Sequence, residues 1–217
     1  MILHFPLADC GQVSDEETTE DDSWHEEYQG IGKPALVVDS VSKVWETTGE
    51  VAVKQFSMKA HRGQVTVLLG HNGAGKSTVY SMICGLTRAT TGNITLLGRP
   101  LSNRICGDRS YLGYCPQSNC IYDCLTVENH LRLFFALNGG EGCWYDEAEM
   151  LCTQLGLTKL VKKKAGKLSG GEKRKLCLAM AFIGGSELVM LDEPTAGMDP
   201  QSRTLVRKLI ERKKKTR

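Results

Sequence analysis

The segment Gly70-His71-Asn72-Gly73-Ala74-Gly75-Lys76-Ser77 constrains this chain more than any other stretch. It fits the pattern G-x-x-x-x-G-K-[ST] at every position, and it follows the nearly continuous apolar run Gln-Val-Thr-Val-Leu-Leu at residues 64–69. Such a run reads as a strand buried on both faces of a mainly parallel sheet. A helix is predicted from Lys76 to about Gly85. The glycines let the backbone curl so that successive N–H groups face one anion. The helix N-terminus adds partial positive charge at the same place. In this arrangement Lys76 reaches the outer phosphates of a nucleotide, the Ser77 hydroxyl faces Mg²⁺, and Gly70, Asn72, Gly73, Ala74, Gly75 and Thr78 complete the cradle.

A phosphate site that does chemistry also needs carboxylates. Residues 187–191, Glu-Leu-Val-Met-Leu, read as a second buried strand, and Asp192 and Glu193 stand at its end. Phosphoryl transfer requires a carboxylate near the metal and a group that positions the attacking water. Asp192 suits the first role and Glu193 the second.

Further strands are predicted at residues 35–41, 50–58 and 91–97. Between residues 125 and 164 the period becomes helical: Val127, Leu131, Phe134 and Phe135 recur at one spacing, and Met150, Leu151, Leu155 and Leu157 at another. A helix is predicted from about Gly171 to Ile183, and a final basic helix from Gln201. The first 30 residues hold nine of the chain's 25 acids and none of its 27 basic residues. Residues 1–33 are therefore expected to be an acidic, disordered linker. Residues 34–217 are expected to fold as one domain. Nine cysteines without paired spacing, and no secretory signal, point to reduced thiols rather than a disulfide framework or a zinc site. Cys115, Cys120 and Cys124 lie closest together. No apolar stretch is long enough to cross a bilayer.

Between the two phosphate-site motifs lies Leu168-Ser169-Gly170-Gly171-Glu172. A phosphate loop, then L-S-G-G, then a strand ending in Asp-Glu is the order of ATP-binding cassette domains. The chain strongly resembles that family from about Ala35 onward. The stretches Leu-Ser-Gly-Gly-Glu-Lys-Arg-Lys-Leu and Leu-Asp-Glu-Pro-Thr-Ala-Gly-Met-Asp-Pro look most like the first nucleotide-binding domain of subfamily A, the lipid exporters. The resemblance implies an α/β fold of the P-loop NTPase type, with a mainly parallel sheet flanked by helices, an antiparallel β edge and an inserted helical subdomain at about 119–167. It implies ATP and Mg²⁺ as ligands. Trp45 would stack on adenine, Gln117 would contact Mg²⁺ and couple to a membrane domain, and Asp199 would lie in the loop that crosses to a partner. Ser169, Gly170 and Gly171 would face the nucleotide of a second nucleotide-binding domain, either a copy of the chain or a different cassette. In the full-length protein the domain would sit at the cytoplasmic face of a membrane, against transmembrane domains.

The family carries one more strand, after the final helix, ending in a histidine at the γ-phosphate. The histidines here are His4, His25, His61, His71 and His130, and none follows Asp199. The chain is therefore expected to be C-terminally truncated, with an apolar edge left open inside its sheet. Whether such a chain turns over ATP is left open by the sequence. One alternative is a non-catalytic ATP-binding module, and another is a soluble cassette ATPase unconnected with transport. The basic runs at 162–164 and 212–215 lack interleaved aromatics, so no nucleic-acid partner is expected.

Overall fold

A computed structural model describes residues 32–101 and 111–214, and the backbone of residues 2–6. Two sheets divide the work. The first is wholly parallel, with strand order β4-β1-β8-β7: β1 (Ile2–Pro6), β4 (Thr66–Gly70), β7 (Leu112–Cys115) and β8 (Leu188–Asp192). The second is antiparallel, with order β3-β2-β5-β6: β2 (Leu36–Val44), β3 (Val51–Ala60), β5 (Thr91–Leu96) and β6 (Arg99–Pro100). The α/β class with an antiparallel component is thus as expected, although the antiparallel part is a sheet of its own. The helices are α1 (Lys76–Ile83), α2 (Val127–Leu137), α3 (Trp144–Leu155), α4 (Gly170–Phe182) and α5 (Pro200–Lys214).

Three findings differ from the sequence-based expectations. Ile2–Pro6, read as linker, forms a strand and pairs in parallel with both β4 and β8. β1 thus lies between them: Pro6 stands opposite Gly70, and His4 opposite both Leu68 and Asp192. The rest of the acidic segment lies outside the described residues. Next, β4 is not buried on both faces. It is an edge strand, and Val67 and Leu69 on one face are 44% and 50% exposed. All five residues of β8 are buried. Finally, β7 was not foreseen, because four residues are too few for a period to show.

The apolar residues form two cores. One packs the antiparallel sheet and α1 together, through Leu36, Val38, Val41, Tyr80, Met82 and Leu96. The other joins the α2–α3 block to α4, α5 and β8, through Leu131, Leu151, Leu155, Leu176, Leu191 and Val206. The inserted helices therefore share one continuous core with the helices beside the parallel sheet. Leu188 and Met190 belong to the first core, Val189 and Leu191 to the second. Alternation along β8 feeds both, as the period of two requires.

Candidate nucleotide site

The carboxyl ends of the parallel strands and the loops beyond them build the site. In an open α/β sheet ligands bind in that crevice. β4 runs into the Gly-rich loop and α1 leaves it at Lys76. Gly73 and Gly75 adopt left-handed φ angles of 85° and 82°. A Cβ on Gly75 would lie 2.3 Å from the Ala52 carbonyl oxygen, so glycine there lets β3 press against the loop. α1 has no side-chain cap and no acid in its first turn, leaving its first N–H groups free for an anion. Lys76 is only 7% exposed, and its Nζ donates to the carbonyls of Gly70 at 2.5 Å and His71 at 2.6 Å. The ammonium is thereby held over the loop.

β8 delivers the carboxylates. Asp192 is 4% exposed. Burial first, and the Asp192 charge second, raise the Tyr80 phenol far above its usual range. Glu193 follows at φ 45°, in the left-handed region that a glutamate seldom occupies. Strain of this kind is found mostly at functional sites. β7 ends at Cys115, and Gln117 lies exposed two residues on. Burial pushes the Cys115 thiol up to about 12 and Cys177 up to about 11, so both remain protonated at neutral pH and are unsuited to nucleophilic work.

These loops enclose a cleft of about 340 Å³, within the size range of small-molecule sites. Trp45, Asn72, Gly73, Gly75, Lys76, Ser77, Thr78, Gln117 and Glu193 all line it. Lys43 Nζ sits 4.9 Å from the centroid of the Trp45 ring. Gly70 and Ala74 belong to the loop but not to the lining, and Asp192 lies buried beside Glu193. Ser169, Gly170, Gly171 and Asp199 are not among the lining residues. Ser169 instead caps α4 in a reciprocal capping box with Glu172, and Asp199 accepts from the Ser202 N–H at 2.9 Å and hydroxyl at 2.6 Å in the first turn of α5. The sequence reading missed Arg174, a buried residue whose guanidinium bonds the main chain at both loop ends. A basic residue on the inward face of α4 was the available signal.

The family description "ABC transporter" matches residues 53–196, from β3 through the turn after β8. The chain belongs to the ABC transporter family. It is 44% identical to the ABC transporter ced-7 of Caenorhabditis elegans over 99% of this chain and 12% of the relative. It is 37% identical to ABC transporter A family member 2 of Dictyostelium discoideum over 96% of this chain and 13% of the relative. It is 38% identical to the human phospholipid-transporting ATPase ABCA7 over 82% of this chain and 8% of the relative. The chain thus spans about an eighth or less of these transporters. Among solved structures, cbiO1 of Clostridium perfringens, part of the ABC transporter complex cbiONQ, superposes with a TM-score of 0.72 at 25% identity, covering 85% of this chain and 75% of that one. An ATP-binding subunit of an ABC transporter superposes at 0.74 and 28% identity, covering 83% and 75%. This ABC cassette therefore has the P-loop NTPase fold, and it is an ATP-binding domain related to the subfamily A transporters.

Proposed function

We propose that this cassette binds MgATP in the cleft and hydrolyses it, paired face to face with a second nucleotide-binding domain, to drive lipid movement by transmembrane domains at the cytoplasmic face of a membrane. The observation that carries the reading is the convergence of Lys76, Ser77, Gln117 and Glu193 on one cleft beside an uncapped helix N-terminus. Backbone N–H groups of the loop, the α1 N-terminus and Lys76 would hold the phosphates, where negative charge accumulates during transfer. Trp45, at the rim, would stack on the base. Glu193 would accept the proton of the attacking water and orient it.

The donors available to a cation are Ser77, Gln117 and Asp192, all of them oxygen ligands of the kind Mg²⁺ prefers. Among the described residues no group of three or more His, Cys, Asp or Glu side chains could hold a metal by itself. That suits an ion shared with substrate phosphates rather than an all-protein cage. Once bound, the ion would neutralise charge on the phosphoryl oxygens.

The lipid reading and the membrane partner follow the relatives, one of which is named a phospholipid-transporting ATPase. No helix among the described residues is long and apolar enough to cross a membrane, so transmembrane domains would have to lie elsewhere. Equilibrium MgATP binding and phosphate release by the purified chain test the core of the proposal. Lys76→Ala should abolish binding, because the cradle loses its only lysine side chain. Glu193→Gln should keep binding and lose turnover. Unchanged ATP affinity in Lys76→Ala would defeat the site assignment. Binding without turnover in the unaltered chain would favour the ATP-binding module instead.

A further inference from the structure

Arg174 lies in the first half of α4, five residues after the Ser169 cap, and is 2% exposed. Its guanidinium has five N–H groups. Each finds a different main-chain carbonyl. Nη1 donates to Pro116 and to Gln117, the latter at 3.1 Å. Nη2 donates to Asp192 and to Glu193, the latter at 2.9 Å. Nε donates to Pro194 at 3.4 Å. Four of the five acceptors belong to the two loops that leave the neighbouring parallel strands β7 and β8, and the fifth, Asp192, is the last residue of β8. Beyond the strand ends main-chain carbonyls leave the ladder and need other donors. One planar fork therefore ties the Gln117 loop, the strained Glu193 peptide and α4 into a single unit.

We propose that Arg174 is a positioning residue. It fixes the Gln117 loop and the Glu193 turn to the second turn of α4, so that nucleotide occupancy of the cleft is transmitted to Ser169-Gly170-Gly171 one turn away. The transmission half of this inference rests on the cleft being a nucleotide site, and the clamp half does not. A lysine would retain the charge but offers three N–H groups on one atom, and a glutamine offers two. Neither has enough N–H groups for five carbonyls. The clamp should therefore weaken in the order Arg, Lys, Gln.

Amide hydrogen exchange on the full chain tests both halves. Without nucleotide, Arg174→Lys should raise exchange at 116–118 and at 192–196 together, and Arg174→Gln should raise it further. Residues 176–182 and the antiparallel sheet should exchange as in the unaltered chain. Unaltered rates at both loops in the folded variants would overturn the clamp. So would a rise spread evenly through α4 and β8, which would mark simple loosening of the core. With Mg²⁺ and a non-hydrolysable ATP analogue, the unaltered chain should gain protection at 70–78, at 116–118 and at 169–173. Arg174→Lys should keep the first and lose the last. Turnover should then fall by about 10–100-fold with nucleotide affinity nearly unchanged, as expected when a catalytic group is slightly misplaced. Full protection at 169–173 in Arg174→Lys would overturn transmission. Absence of protection at 70–78 in the unaltered chain would defeat the nucleotide-site reading and transmission with it, while the first comparison would still decide the clamp.

Discussion

At Gly75 two constraints meet in one residue. Its φ of 82° disfavours any side chain, and a Cβ would collide with the Ala52 carbonyl of β3. The left-handed conformation alone costs roughly 1–2 kcal/mol for an L residue, and relieving the collision would move the loop away from the antiparallel sheet. Gly75→Ala should therefore lower the melting temperature and, more sharply, weaken MgATP binding, since the same movement spoils the N–H cradle. Gly73→Ala meets no neighbour within 4 Å and should show the strain without the collision. Comparing nucleotide affinity in the two variants separates the causes. These glycines, like Lys76, were legible in the sequence because the motif fixes their spacing. The left-handed Glu193 was not, since no local signal makes a glutamate adopt that conformation. Arg174 was hidden for a related reason: its partners are main-chain oxygens 18 to 58 residues away, and main-chain oxygens leave no mark on residue type.

At the scale of elements, the starts of α1, α4 and α5 were predictable to within a residue, and the electrostatics of the caps follow. α2 begins after Thr126, whose side chain accepts from the Asn129 N–H, and α4 begins after Ser169 in its capping box. The Ser169 N–H donates to Glu172 Oε2 at 2.8 Å, and this bond first, helped by nearby Lys163, holds the Glu172 carboxyl below its ordinary value. Asp199 is held low by its bonds from the Ser202 hydroxyl and N–H. A carboxyl that is more acidic folded than unfolded stabilises the fold above its unfolded pKa. That contribution is lost as pH falls through the lowered folded value. The window therefore lies below the ordinary glutamate and aspartate values of 4.5 and 3.8. Melting curves across pH 3 to 7 should show stability declining at the acid end. Asp199→Asn should be less stable than the unaltered chain at neutral pH and should lose less on acidification. Ser169→Ala should cost roughly 0.5–2 kcal/mol through the lost cap. β1 and β7 were harder to read, at five and four residues. Their place comes from pairing partners far along the chain, and such pairing leaves no local period.

For the whole molecule, the decisive arrangement is what the cleft lacks. Lys76, Ser77, Gln117 and Glu193 share it, whereas Ser169, Gly170 and Gly171 open a separate helix and do not line it. α4 offers N–H groups at its N-terminus, the usual setting for an anion, but the phosphate cradle of the same chain lies elsewhere. With the proposed face-to-face pairing, each chain carries two incomplete halves, and two copies related by a twofold axis would complete both sites. Sedimentation in the Glu193→Gln background, where turnover should be blocked, tests this. MgATP should shift the chain from monomer to dimer. Lys76→Ala should stay monomeric for want of nucleotide, and Ser169→Arg should stay monomeric although it binds nucleotide. Mixing those two variants should restore dimers, because the nucleotide held by the Ser169→Arg chain then faces the intact Ser169 of the other. A mixture that stays monomeric while the parent chain dimerises would show that the signature segment and the phosphate loop do not complete each other across the pair.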